Sequence, residues 1–127
     1  MKHSIKSLLA ALVVSLSLAA PVLAGPFEDG RAAYNRGDYA TALRLWLPLA
    51  EQGDAIVQFN LGLLYYWGHG VLQDSVQDYV EAHKWFNLAA TRGNLSAAGN
   101  RDWLAKKMTP DQLAEAQRLA REWKPKK

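Results

Sequence analysis

Four side chains of the kinds used in metal binding and acid–base catalysis lie close together in the sequence: His69, Asp74, Asp78 and His83. Two histidines could hold a metal ion or act as a general base, and two carboxylates could cleave a glycoside. However, the chain has no cysteine, no acidic cluster at zinc-ligand spacing and no glycine-rich phosphate loop. A loop position for His69, a turn position for Asp74, a helix cap at Asp78 and a helix-surface position for His83 account for all four. The sequence therefore predicts no catalytic residue, no metal and no cofactor.

Three consecutive aromatic residues, Tyr65, Tyr66 and Trp67, precede a turn at Gly68. Successive residues of an α-helix point about 100° apart, so one helix cannot bury all three against the same neighbour. Burial of all three between neighbouring helix pairs is the favoured interpretation, because helical-repeat interiors take up aromatic side chains. The alternative is that Trp67 is partly exposed and anchors a partner. For that alternative the candidate partner-binding residues are Tyr66, Trp67, His69, Gln73 and Asp74.

The first 24 residues have the pattern of a cleaved signal peptide. Lys2 and Lys6 make a positive start, residues 8–20 form an apolar run, and small side chains lead up to Ala24. The run has 13 residues, and a bilayer core takes about 20, so a retained membrane anchor is the less favoured alternative. We therefore expect cleavage before Gly25, a periplasmic or secreted protein, and no stable membrane insertion after cleavage.

Charge is distributed unevenly along the chain. The whole sequence has a formal net charge of +3, whereas residues 25–100 carry 5 basic and 8 acidic side chains and residues 101–127 carry 8 and 4. The basic end could adhere to anionic envelope components, although a solvated tail at residues 124–127 is the favoured interpretation. A nucleic-acid partner is not expected, because export would remove the protein from it and the net charge is small.

After residue 24 the chain shows helical patterns and no convincing strand, so we predict an all-α fold. A Gly-Asp or Gly-Asn pair occurs at residues 37–38, 53–54 and 93–94, and each pair combines a left-handed helix stop with a cap for the next helix. Asp78 with Glu81, and Thr109 with Gln112, fit the capping-box pattern. The predicted helices cover residues 27–36, 39–52 and 55–67, a stretch after Asp78, and residues 95–107 and 110–123.

The chain also repeats itself at an offset of 40 residues. A period between 20 and 50 residues built from helix pairs indicates an α/α solenoid, here with about three antiparallel helix hairpins in residues 25–123. We expect Gly62 to allow close approach of two helices and Trp85 to be buried beside it. The matched or aligned pairs are Asp38 with Asp78, Ala42 with Ala82, Trp46 with Phe86, Gly53 with Gly93, and Asn60 with Asn100.

One stretch carries a specific motif. It reads Ala55-x-x-Gln58-x-Asn60-Leu61-Gly62-x-x-Tyr65-x-x-Gly68-x-Gly70-Val71-x-x-Asp74, then Ala82-x-x-Trp85-x-x-x-Ala89-Ala90-x-x-Gly93. This motif resembles the Sel-one-like repeat, a relative of the tetratricopeptide repeat. The resemblance covers one complete repeat at about residues 54–93, the second half of a preceding unit at residues 38–53, and a degenerate closing pair from Asn94. Residues 75–78 lengthen the usual connection, so the loop at 73–78 is expected to be particular to this protein.

The resemblance implies a tetratricopeptide-like superhelix that presents the first helix of each hairpin to a peptide or protein. We accordingly predict a scaffold or adaptor of the cell envelope that binds a protein or peptide partner and is not an enzyme. The alternative is an envelope enzyme or ligand binder that acts on peptidoglycan fragments, because some exported relatives in the family are connected with cell-wall peptides.

Overall fold

The structure is a computed structural model that describes residues 25–68 and 78–127. In these two segments the chain forms only α-helices joined by turns, with no strand, which confirms the predicted all-α solenoid. No helix in the same segments is long and apolar enough to span a bilayer. The helices are α1 (Pro26–Asn35), α2 (Tyr39–Glu51), α3 (Ala55–Trp67), α4 (Tyr79–Thr91), α5 (Leu95–Ala105) and α6 (Pro110–Glu122).

The helix boundaries follow from local capping, as the sequence predicts. Gly37, Gly53 and Gly93 adopt φ angles of 82°, 108° and 98°, a left-handed conformation that glycine takes without steric cost. Asp38 accepts a hydrogen bond from the backbone N–H of Thr41, and Asp54 and Asn94 cap α3 and α5 in the same way. Each cap satisfies a backbone donor that a helix start leaves without a partner.

The two predicted capping boxes have different outcomes. The box at α6 is complete, because Thr109 and Gln112 each accept the backbone N–H of the other. At α4 the Asp78 side chain accepts from Glu81 N at 3.0 Å, but the return bond is replaced. The Asp78 N–H donates to the carbonyl of Tyr65 at 3.2 Å, and the Glu81 carboxylate pairs with Lys84 at 2.7 Å. The predicted box is thus wrong in its second half.

Helix α3 lies between two apolar clusters. Leu61 and Leu64 belong to a cluster shared with α1, α2 and α4, while Phe59 and Leu63 pack against a second cluster centred on Phe86. Gln58 is fully buried on the same helix, and its Nε2 donates to the Ala50 carbonyl at 3.0 Å. Because α3 is packed from several directions, it can be apolar around most of its circumference.

Two glycines permit the closest helix contacts. A Cβ atom on Gly62 would lie 2.4 Å from ring carbons of Phe86, and one on Gly30 would lie 2.2 Å from the Trp46 indole nitrogen. Real Cβ atoms do not approach other atoms so closely, so both helix pairs depend on the missing side chain. The predicted role of Gly62 is confirmed.

The last two helices close the array on α4, since α5 and α6 each pack against it. Beyond α6, Trp123 packs against the cluster that contains Trp46 and Trp85. The tail then reaches α2, where the backbone N–H of Lys126 donates to the Glu51 carbonyl at 2.8 Å and its side chain pairs with the Glu51 carboxylate. The basic tail is therefore exposed but anchored at Lys126.

Candidate ligand-binding groove

Helices α1, α3 and α5 occupy equivalent places in the array, each starting after its N-cap residue, Gly25, Asp54 or Asn94. Residues three apart on a helix share a face, so the positions six and nine residues after each cap point the same way. The sixth positions hold Arg31, Asn60 and Asn100. The ninth positions hold Tyr34, Leu63 and Trp103. All six of these residues line two hollows that meet at Leu63.

The first hollow is small and mostly aromatic. It has a volume of about 130 Å³ and is lined by Leu63, Tyr66, Trp67, Phe86, Asn100 and Trp103. The ring of Tyr66 lies 4.9 Å from that of Trp67 and 5.3 Å from that of Trp103, both edge-on. Desolvation, with a smaller effect of Tyr79, raises the pKa of Tyr66 above its ordinary value, so its hydroxyl is protonated at neutral pH.

The second hollow continues the first toward α1. It has a volume of about 250 Å³ and is lined by Arg31, Tyr34, Asn35, Trp46, Asn60 and Leu63. The indole N–H of Trp46 donates to the Phe27 carbonyl at 3.1 Å, which fixes the ring at the base of the hollow. We call the two hollows together the first-helix groove.

Two of the predicted site residues lie in this groove and three fall outside the described residues. Tyr66 is partly buried, whereas Trp67 is 55% exposed. The favoured interpretation that all three aromatics are packed inside is therefore wrong for Trp67, and the alternative of an exposed Trp67 is right. His69, Gln73 and Asp74, with most of the lengthened 73–78 connection, lie outside the described residues.

Sequence reasoning predicted only Tyr66 and Trp67 among the groove residues, and three of those it missed share one face of the first helices. Trp103 is 47% exposed and its ring carries the Lys107 ammonium 4.6 Å from the ring centroid. Asn60 and Asn100 form an identical pair at the repeat offset of 40 residues. This pair is evidence for the repeat, and the sequence alone does not assign it to a binding site. Counting positions from each N-cap would have placed all three on one face, because the caps set a common register.

His83 contradicts its predicted position on the helix surface. It is 3% exposed, and its Nδ1 is buried without a hydrogen bond in the described part of the chain. It lies at a polar hollow with Asn87 of its own helix, Arg101 and Asp102 of α5, and Gln117 of α6. Desolvation is the main cause that lowers the pKa of His83 below its ordinary value, and the Arg101 charge adds to it. The surface prediction failed because α5 and α6 both cover this side of α4.

The burial of His83 predicts a pH-dependent stability. His83 has a pKa near 6.5 in the unfolded chain and a lower pKa in the folded protein. As the pH falls from 7 to about 5, the unfolded state therefore binds more protons at this position than the folded state. The free energy of unfolding should therefore fall as the pH drops from 7 to 5, and less so in His83→Gln. Urea unfolding of both proteins at the two pH values measures this difference. Equal losses in both would contradict it, because the other histidines are common to the pair.

The described residues contain no group of three or more histidine, cysteine or acidic side chains placed to hold a metal ion. His83 has only Asp102 among such side chains in its hollow, and that carboxylate accepts a hydrogen bond from Arg101 Nε at 3.0 Å.

Repeated helix pairs with a continuous groove along their first helices define a helical-repeat protein of the α-solenoid class. The Sel1 repeat family model matches residues 27–54 and 55–94, together more than half of the chain. The chain belongs to the Sel1 repeat family. The first matched range includes α1, so the family unit there is a whole helix pair rather than the second half recognised in the sequence.

Repeats of this family generally mediate protein–protein interaction, and proteins built from them are typically scaffolds without catalytic activity. No curated protein and no solved structure gives a significant match to the chain.

Proposed function

We propose that this protein is an exported scaffold or adaptor that binds a segment of a protein partner in its first-helix groove and performs no catalysis. The first-helix groove, two hollows that share Leu63, is the observation that carries the proposal. It runs across α1, α3 and α5 and alternates apolar side chains with polar ones, and no carboxylate of residues 25–68 or 78–127 lines either hollow. An extended chain needs both apolar pockets and partners for its peptide groups.

The side-chain amides of Asn60 and Asn100 can supply those partners. Each amide has an acceptor oxygen and two N–H donors, and neither makes a hydrogen bond within the described residues. They occupy the same position on neighbouring first helices, and α3 contacts α5 directly. An extended segment crossing these helices would pass both amides, which could accept from and donate to its backbone.

Export to the periplasm or the exterior is part of the proposal and rests on the signal-peptide pattern in residues 1–24. The scaffold would then act in the cell envelope.

Site-specific photocrosslinking in living cells tests the proposal. A photoreactive phenylalanine analogue at position 103 should give a discrete crosslinked species in the envelope fraction. The same analogue at position 114, an exposed site on α6, should not. In Asn60→Ala/Asn100→Ala the crosslink at 103 should weaken at least about tenfold, if the two amides together supply about 1.4 kcal/mol or more.

Circular dichroism of the double variant confirms that it remains folded. Equal crosslinking from positions 103 and 114, or full crosslinking by the folded double variant, would contradict binding in the groove.

A further inference from the structure

The chemistry of the first-helix groove specifies the segment that it binds, and this inference rests on the proposed function. The groove floor is uncharged, since α3 has no charged residue from Ala55 to Trp67. Two described cations lie at opposite ends of it: Arg31 lines the hollow on α1, and Lys107 lies over the Trp103 ring after α5.

Three acidic side chains that are close in sequence to groove residues lie elsewhere. Asp102 lines the polar hollow of His83 and binds Arg101, and Glu28 and Asp29 lie in the first turn of α1. None of the three lines the first-helix groove. From the residues that the structure describes, a bound segment would therefore meet positive charge at both ends and no carboxylate between them.

The aromatic hollow has room for one large apolar side chain. Its volume is about 130 Å³, comparable with the roughly 150 Å³ apolar cavity that accommodates benzene. Two half-exposed indoles, Trp67 and Trp103, flank its opening, and Leu63 and Phe86 lie behind them. Tryptophan is enriched among residues that dominate binding energy, and the Lys107 ammonium lies over one of these two indoles.

The distance across the groove sets the length of the segment. Helices packed side by side lie about 8–10 Å apart, and at that spacing α1, α3 and α5 would span roughly 16–20 Å. An extended chain advances about 3.3 Å per residue, and about six residues therefore cross the groove.

We infer that the first-helix groove binds an extended peptide segment of about six residues with an acidic residue at each end. A large apolar residue lies next to the acidic residue at the Lys107 end and fills the hollow between Trp67 and Trp103. Asn60 and Asn100 bind the backbone between the anchors.

Selection from a random hexapeptide library displayed on phage, with the purified protein as bait, tests this ligand class. The enriched peptides should carry aspartate or glutamate near both ends and one leucine, isoleucine, phenylalanine or tryptophan beside one of them. The best synthetic hexapeptide is then measured by titration calorimetry at low and high salt.

Three variants assign the contacts. Trp103→Ala should weaken the peptide at least about tenfold. Lys107→Glu and Arg31→Glu should each weaken it about three- to fivefold at low salt and less at high salt, and should shift the enriched residue at that end toward lysine or arginine. Arg121→Glu makes the same charge change on α6 and should leave the affinity unchanged.

Enrichment of neutral or basic ends, or no loss in Trp103→Ala, overturns the ligand class. A library without enriched peptides, while the crosslink at position 103 forms and depends on the two asparagines, also overturns it and points to a folded partner surface. In both cases the proposed function stands. The proposed function itself would be contradicted only if the crosslink at position 103 did not form or did not depend on Asn60 and Asn100.

Discussion

Replacing Trp85 by alanine should lower the free energy of unfolding by about 3–5 kcal/mol, which is among the largest losses expected from a single change in this protein. Trp85 is 2% exposed and belongs to the cluster that joins α1, α2, α3 and α4. Small domains have total stabilities of about 5–15 kcal/mol, so the variant would lose a large share of its stability. Urea unfolding followed by circular dichroism measures the change.

Trp103→Ala is the matched control, because the same truncation is made at a side chain that is 47% exposed. It should cost less than about 1 kcal/mol, as most exposed substitutions do. Equal losses in the two variants would show that Trp85 does not hold the hairpins together.

Trp85→Phe separates packing from hydrogen bonding. The Trp85 Nε1 is buried and makes no hydrogen bond within the described residues, so phenylalanine keeps most of the buried surface and loses no bond. The cost should be less than half that of alanine. Trp46→Phe should cost more than Trp85→Phe, because it also breaks the bond from Nε1 to the Phe27 carbonyl.

Gly62→Ala should destabilise the protein by about 1–3 kcal/mol, even though alanine favours a helix by about 0.5–1 kcal/mol over glycine. The added Cβ would lie 2.4 Å from two ring carbons of Phe86. Phe86 is itself 2% exposed and packed against Ala82 and Ala89, so its ring cannot move aside without strain. Thermal and urea unfolding both report the loss.

Gly99→Ala is the matched control, and its expected change in the free energy of unfolding has the opposite sign. Gly99 also lies inside a helix, α5, but a Cβ there meets nothing within 4 Å. The intrinsic preference of helices for alanine then acts alone, and the variant should be stabilised by about 0.5–1 kcal/mol. If both variants were stabilised, close packing of α3 on α4 would not limit the residue at position 62.

Only part of the first-helix groove could be predicted from the sequence. The pattern Tyr65-Tyr66-Trp67 indicated that an aromatic could emerge next to the Gly68 turn, and Trp67 does. It could not indicate that Trp103 would come to the same hollow, since 36 residues separate the two tryptophans in the chain. Their approach depends on the contact between α3 and α5, which is a long-range property.

His83 and Lys126 are two further residues whose surroundings could not be predicted from the local sequence. Both side chains are polar and lie in segments whose composition is typical of solvent-exposed chain. The local sequence therefore predicted His83 at a helix surface and residues 124–127 in a solvated tail. Packing of α5 and α6 on α4 buries His83, and Lys126 binds Glu51 of α2. Each outcome is decided by residues far away in the sequence.

The sequence by itself determined the helices, their order and the repeat family. Helix starts depend on hydrogen bonds between residues two or three positions apart, as at Asp38, Asp54 and Asn94, so local residue types suffice to predict them. The tertiary structure alone decided which side chains are buried, which face forms the groove, and where cations flank it. Those properties depend on which helices pack together. The same local sequence pattern can be buried or exposed, because its burial depends on whether another helix packs against it.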